Sequence, residues 1–167
     1  MKIILTLLLI LSSTVGARQE QSLPTESWNV PETVSKAFAA KKLDKRYEFS
    51  FHLNPFYLRG DFNGDGKPDI AILVKEKVSG KIGIAILHSG TNEVLFIGSG
   101  TEGSKGGDNF DWMDYWYVYP KGVVHRGVGE RTVPHLIGEA LLVGRSEAAS
   151  GLFYWNGKRY LWYQQGD

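Results

Sequence analysis

The segment Asp61-Phe62-Asn63-Gly64-Asp65-Gly66-Lys67-Pro68-Asp69 sets short oxygen-bearing side chains at positions 1, 3, 5 and 9 of a glycine-bent loop, and Ile70-Ala71-Ile72-Leu73-Val74 follows directly. In a tight loop, alternating ligand and spacer aims Asp61, Asn63, Asp65 and Asp69 inward, and the carbonyl of Lys67 can complete an oxygen shell suited to calcium. Carboxylates gathered in this way repel one another unless a cation lies among them. The β-branched apolar run behind the loop has the length and composition of a strand. Whatever the fold, it must hold an acidic bend at the entrance to a buried strand. An EF-hand is excluded, because that loop needs a bidentate Glu at position 12 and flanking helices, whereas position 12 is Ile72. A plain sharp turn is the competing reading, since Asn63-Gly64 and Asp65-Gly66 both favour positive φ. A turn explains the glycines but gives no reason for Asp61 and Asp69 to sit at ligand spacing.

The stretch from Gly60 to Ala71 resembles the FG-GAP/VCBS-type repeat, found in integrin α-subunit propellers and many secreted bacterial proteins. The resemblance implies a calcium ion held between adjacent strands, with Asp61, Asn63, Asp65 and Asp69 as side-chain ligands and Lys67 as a backbone ligand. Propellers need several blades, each with its own repeat, and only one copy of the loop is found in the sequence. The expectation is a small domain carrying a single calcium loop rather than a closed propeller.

Met1-Lys2 followed by the apolar run Ile3 to Leu11 reads as an export signal, too short to span a bilayer. Val15-Gly16-Ala17 supplies small residues for cleavage after Ala17, which predicts a signal peptide over 1–17 and a secreted or periplasmic protein without a membrane span. Processing removes Lys2 from a basic count of 19, so the remaining cations equal the 18 carboxylates in number. A nucleic-acid surface is not expected on these grounds: the densest basic stretch, Lys41-Lys42 with Lys45-Arg46, reads as the solvated end of a helix. The chain has no Cys, so no disulfide can staple an exported fold of this size. The hydrophobic core is left to stabilise it, with calcium as an expected further contribution.

Residues 18–30 are polar and without pattern, and are read as a flexible leader. Pro31 predicts a helix start, with Glu32 in the first turn, Val34 and Phe38 on one face, and an end near Leu43. Strands are predicted at Tyr47–Leu53, Phe56–Arg59, Ile70–Lys75, Ile82–His88, Val94–Ile97, Trp112–Tyr119, Ala140–Val143, Leu152–Trp155 and Lys158–Tyr163. Asn156-Gly157 fits a two-residue type I′ turn that would oppose Trp155 to Lys158, Phe153 to Tyr160 and Leu152 to Leu161. The predicted fold class is α+β: one domain over 31–167, in which an N-terminal helix packs on a twisted, mainly antiparallel sheet of about 7 to 9 strands.

From Asp108 to Tyr119 the chain interleaves carboxylates and aromatics, the chemistry of a sugar-stacking platform. Asp111, Trp112, Tyr115, Trp116 and Tyr117 are the candidate ligand surface. The competing reading puts Trp112, Trp116 and Val118 on a core face and Tyr115, Tyr117 and Tyr119 on a partly wet one. Pairs drawn from Asp108, Asp111, Asp114, Glu102 and Glu130 raise glycoside hydrolysis, which needs two carboxylates about 5 to 9.5 Å apart. Gly98-Ser99-Gly100-Thr101-Glu102-Gly103 matches a dinucleotide-binding pattern, but Ser104 to Asp108 offers no helix start to receive a pyrophosphate. His52, His88, His125 and His135 lack zinc spacing, and no nucleophile elbow is present. The expected protein is thus an exported, noncatalytic calcium-binding module with a binding or structural role and a glycan or protein ligand. The alternative is a small carbohydrate-active hydrolase or glycan-binding domain working through Asp108–Tyr119.

Overall fold

A computed structural model of the protein describes residues 29–91, 93–101, 106–127, 129 and 131–166. The expected signal peptide and most of the expected leader lie outside these residues. The architecture is mainly β, with one helix, α1 (Glu32–Ala40), a 3-10 turn (Leu43–Lys45) and nine strands. These are β1 (Tyr47–Phe49), β2 (Tyr57–Gly60), β3 (Asp69–Glu76), β4 (Ile82–Leu87), β5 (Val94–Gly98), β6 (Tyr115–Tyr119), β7 (Ala140–Gly144), β8 (Ser150–Trp155) and β9 (Tyr160–Gly166).

The strands form two antiparallel sheets rather than the single twisted sheet expected. In the first, β3, β4 and β5 follow as a meander, while β1 and β2 lie end to end along the free edge of β3. The second is the meander β6-β7-β8-β9. The physical reason is that the central strands are apolar on both faces: β3, β4 and β7 are buried almost throughout. Such strands need cover on each side, and a second sheet supplies it.

Side-chain alternation assigns the faces. Ala71 and Leu73 of β3, Ile84 and Ile86 of β4, Leu141 and Val143 of β7 and Phe153 of β8 meet in one core between the sheets. The opposite side of β3, Ile70, Ile72 and Val74, shares a second cluster with Val34 and Phe38 of α1. The opposite side of the second sheet, Ala140, Leu142, Leu152 and Tyr163, is buried with Val124 and Leu136 from the long β6–β7 connection. The two sheets are therefore stacked face to face, with the β6–β7 connection over the outer side of the second.

Several predicted boundaries move, each for a local reason. The helix is shorter than expected because Lys42 adopts a left-handed φ of 56° and the chain continues as the 3-10 turn. β1 ends at Phe49, and the chain leaves the sheet until Tyr57 through a segment containing Pro55, which has no N–H for a ladder. β6 begins at Tyr115, not Trp112, since both carboxylate oxygens of Asp114 accept from Ser146 N at 2.9 Å and fix the strand entrance. In the last hairpin Trp155 opposes Tyr160 and Phe153 opposes Trp162, a register two residues from the expected one. Asn156 is not a central turn residue. Its Oδ1 accepts from Lys158 N and Arg159 N, leaving Gly157 (φ 93°) at the first central position, as a type II′ loop requires. A shift of two preserves the faces, and both sides of the hairpin are apolar, one packed on the first sheet and the other under the β6–β7 connection.

Candidate metal centre

The acidic loop joins β2 to β3, with Gly60 paired to Asp69 across its base. It is a hairpin connection between neighbouring antiparallel strands. Gly64 and Gly66 hold φ of 79° and 82°, the left-handed conformations that let so short a chain turn back. The polar side chains then fasten the bend to its own amides. Asp61 accepts from Gly64 N at 2.8 Å through Oδ1 and from Gly66 N at 3.0 Å through Oδ2. Asn63 Oδ1 accepts from Asp65 N and Asp65 Oδ1 from Lys67 N, each at 2.9 Å. Asp65 and Lys67 are exposed, whereas Asp61 and Asn63 are half-buried.

Asp69 is fully buried. Its Oδ2 accepts from Phe62 N at 3.0 Å and Asn63 N at 3.2 Å, and its Oδ1 accepts from Ser89 N at 2.7 Å. Burial pushes its carboxyl above the ordinary value of 3.8, against the opposing pull of the Ser89 amide, His88 and the two loop amides. Close by, His88 Nε2 and Tyr160 Oη share a hydrogen bond of 2.8 Å that crosses from the first sheet to the second. Burial, and then the Asp69 charge, push the Tyr160 phenol well above its usual range, so it stays protonated.

The loop also docks on the second sheet, through a residue the sequence reading did not single out. Asp61 N donates to Glu139 Oε2, and Glu139 N donates to the Asp61 carbonyl, both at 2.7 Å. Backbones touch here: a Cβ on Gly64 would lie 2.3 Å from the Ile137 carbonyl oxygen, and one on Gly138 2.4 Å from the Asp61 carbonyl oxygen. Between them Phe62, at 0% exposure, enters the inter-sheet core. The available signal was Gly138-Glu139 immediately before the apolar run of β7, a glycine ahead of a buried strand.

As a donor set, three carboxylates, one carboxamide and a carbonyl are hard oxygens of the kind calcium takes. Each oxygen of Asp61 and Asp65 has at least one lone pair left after its amide bond. Among the described residues, no three His, Cys, Asp or Glu side chains are already gathered as a metal-holding group. The fit is one of chemistry and chain position, in a loop fastened by its own amides.

The aromatic strip is divided between faces. Trp116, at 2% exposure, lies in the inter-sheet core and donates from Nε1 to the Pro55 carbonyl at 2.9 Å. Trp112 packs against the same core, edge-on to Trp162. Tyr115 and Tyr117 stack on the other face with centroids 6.2 Å apart, and Tyr117 is 47% exposed. Asp111 is exposed, Asp114 holds the Ser146 amide, and Asp108 pairs with Lys81. Glu102 and Glu130 lie outside the described residues. Of the histidines, His52 meets Ser50, and His88 meets Tyr160 and Trp155. No helix among the described residues is long and apolar enough to cross a membrane. Compared with protein-family models, curated proteins and solved structures, the chain matches none.

Proposed function

We propose that residues 61–69 are a calcium loop of the FG-GAP/VCBS type and that the protein is an exported, noncatalytic module in which the ion orders the junction between the two sheets. One observation carries this reading: the loop that bears the oxygen donors is also bonded to Glu139 at the start of β7, so order in the loop is order between the sheets. A cation drawn to Asp61, Asn63, Asp65 and Asp69 would stiffen a bend whose next residue along the chain from Asp61, Phe62, is an inter-sheet anchor. Outside the cytoplasm calcium is abundant, and extracellular modules work with dissociation constants of about 0.1 to 1 mM. The ion's role would be structural, since an oxygen shell supplied largely by protein leaves little room for a substrate.

Calorimetric titration of calcium chloride into the parent and into Asp65→Ala tests it. Asp65 is exposed, and its described hydrogen bond stays within the loop, so its removal leaves the core intact. Saturable one-to-one binding to the parent, weakened about tenfold or more in the variant, is expected for the loss of one charged ligand. Absence of saturable binding to the parent at about 10 mM calcium, beyond the weakest extracellular class, would contradict the proposal.

A further inference from the structure

Beside the acidic loop lies a cleft of about 620 Å³ between α1 and the first sheet. Its apolar surface comes from Ala37 and Ala40 on the helix and from Ile70 and Leu87 beneath. Its charged surface is of one sign: Lys36, Lys41 and Arg59 line it, and no Asp or Glu does. Lys36 is engaged by Glu32 at 2.8 Å. Lys41 and Arg59 have no carboxylate partner among the described residues. At the rim, Lys67 Nζ would lie 3.1 Å from a Cβ on Gly90, which brings another ammonium to the mouth. Arg59 is held in β2 by pairing with Ile70, and its guanidinium lies over the Tyr57 ring, 5.7 Å from the centroid. That stacking presets the fork for a planar or tetrahedral oxyanion.

Lys41 and Arg59 converge on one hollow without a carboxylate partner among the described residues, which costs free energy, and an anionic guest relieves it. The apolar floor asks the same guest for a hydrocarbon part. We propose that this cleft binds a small amphiphilic anion, a phosphate monoester or carboxylate head on a short apolar body. The volume falls in the range of about 300 to 1,000 Å³ typical of small-molecule sites. Arg59 and Lys41 take the head, and Ala37, Ala40, Ile70 and Leu87 take the body. The two side chains that take the head, Arg59 and Lys41, lie outside the candidate calcium ligand set; of the cations at the cleft only Lys67, at the rim, shares the loop.

The test is calorimetric titration with hexyl phosphate at low salt in the presence of chelator, which keeps the outcome separate from that of the calcium proposal. One-to-one saturable binding is expected, weakened about tenfold by Arg59→Gln and comparably by Lys41→Gln, as for loss of one charge-assisted contact. Lys158→Gln, on the β8–β9 turn, should leave the affinity unchanged. Inorganic phosphate should bind more weakly than hexyl phosphate, since it has nothing to place on the apolar floor. All three substituted side chains are exposed, and unchanged melting curves would verify that the variants fold. Vesicles containing phosphatidic acid, whose head group is itself a phosphate monoester, separate a lipid head group from a free ester: retention on vesicles together with hexyl phosphate binding assigns the head group as a source. Retention on vesicles without binding of the free ester would overturn the cleft, as would equal affinity in the parent, Arg59→Gln and Lys41→Gln.

Discussion

Phe62→Ala should destabilise the protein by about 3 to 5 kcal/mol, the usual cost of truncating a fully buried Phe. The side chain is at 0% exposure and belongs to the cluster that includes Leu58, Ala71, Leu141 and Val143, drawn from both sheets. Its position is unusual, because it stands between two candidate metal ligands in a loop whose other residues, Asp69 apart, are partly or fully exposed. The loop is therefore nailed down by its second residue. Urea denaturation gives the comparison, with Phe62→Leu as a milder change expected to cost less than about 2 kcal/mol because it retains most of the apolar volume. A loss below about 1 kcal/mol for Phe62→Ala would show that the loop is not anchored in the core.

Gly138→Ala should be nearly as damaging, for the opposite reason. A methyl group there would lie 2.4 Å from the Asp61 carbonyl oxygen, 2.7 Å from Gly64 N and 2.9 Å from the Phe62 carbonyl carbon. All three are backbone atoms, so no side chain can swing aside, and overpacking of this kind costs about 1 to 3 kcal/mol or forces the loop off the second sheet. Gly66→Ala is the control. It has φ of 82° but nothing within 4 Å of the new methyl, so it carries only the left-handed backbone cost of about 1 to 2 kcal/mol. Amide hydrogen exchange separates the two: Gly138→Ala should speed exchange at Asp61, whose N–H is bonded to Glu139, while Gly66→Ala should leave that amide protected. Equal protection of Asp61 in both variants would mean that the close approach is not needed for docking.

Each predicted stretch of alternating or continuous apolar residues does contain a strand, because the period of side-chain burial is written directly in β3, β4 and β7. The division into two sheets was not legible. Ile70 and Ala71 are adjacent in sequence and face different cores, and nothing local says whether the layer over Ala71 is a helix or another sheet. The aromatic strip was partly legible: alternation separates Trp116 and Val118 from Tyr115 and Tyr119, as the core-face reading expected. The terminal turn misled because Asn156 can serve either as a central residue or, through its side chain, as a cap on the amides two and three residues on, Lys158 and Arg159; the second role won. At the candidate site, the five donors lie in one run of sequence and were read from spacing. Glu139, 78 positions from Asp61 along the chain, reaches the loop through tertiary packing, which spacing does not encode.

Calcium is proposed to order the loop and, through Phe62 and Glu139, the seam between the sheets. Melting curves of the parent and Asp65→Ala, each in calcium and in chelator, test this most directly. With free calcium at about 100 times its dissociation constant, linkage adds about 2.7 kcal/mol to the parent. At about 2 to 4 °C per kcal/mol for a chain of this size, chelation should lower the parent's midpoint by several degrees and leave that of Asp65→Ala nearly unmoved. A parent that melts at the same temperature in both buffers would contradict it.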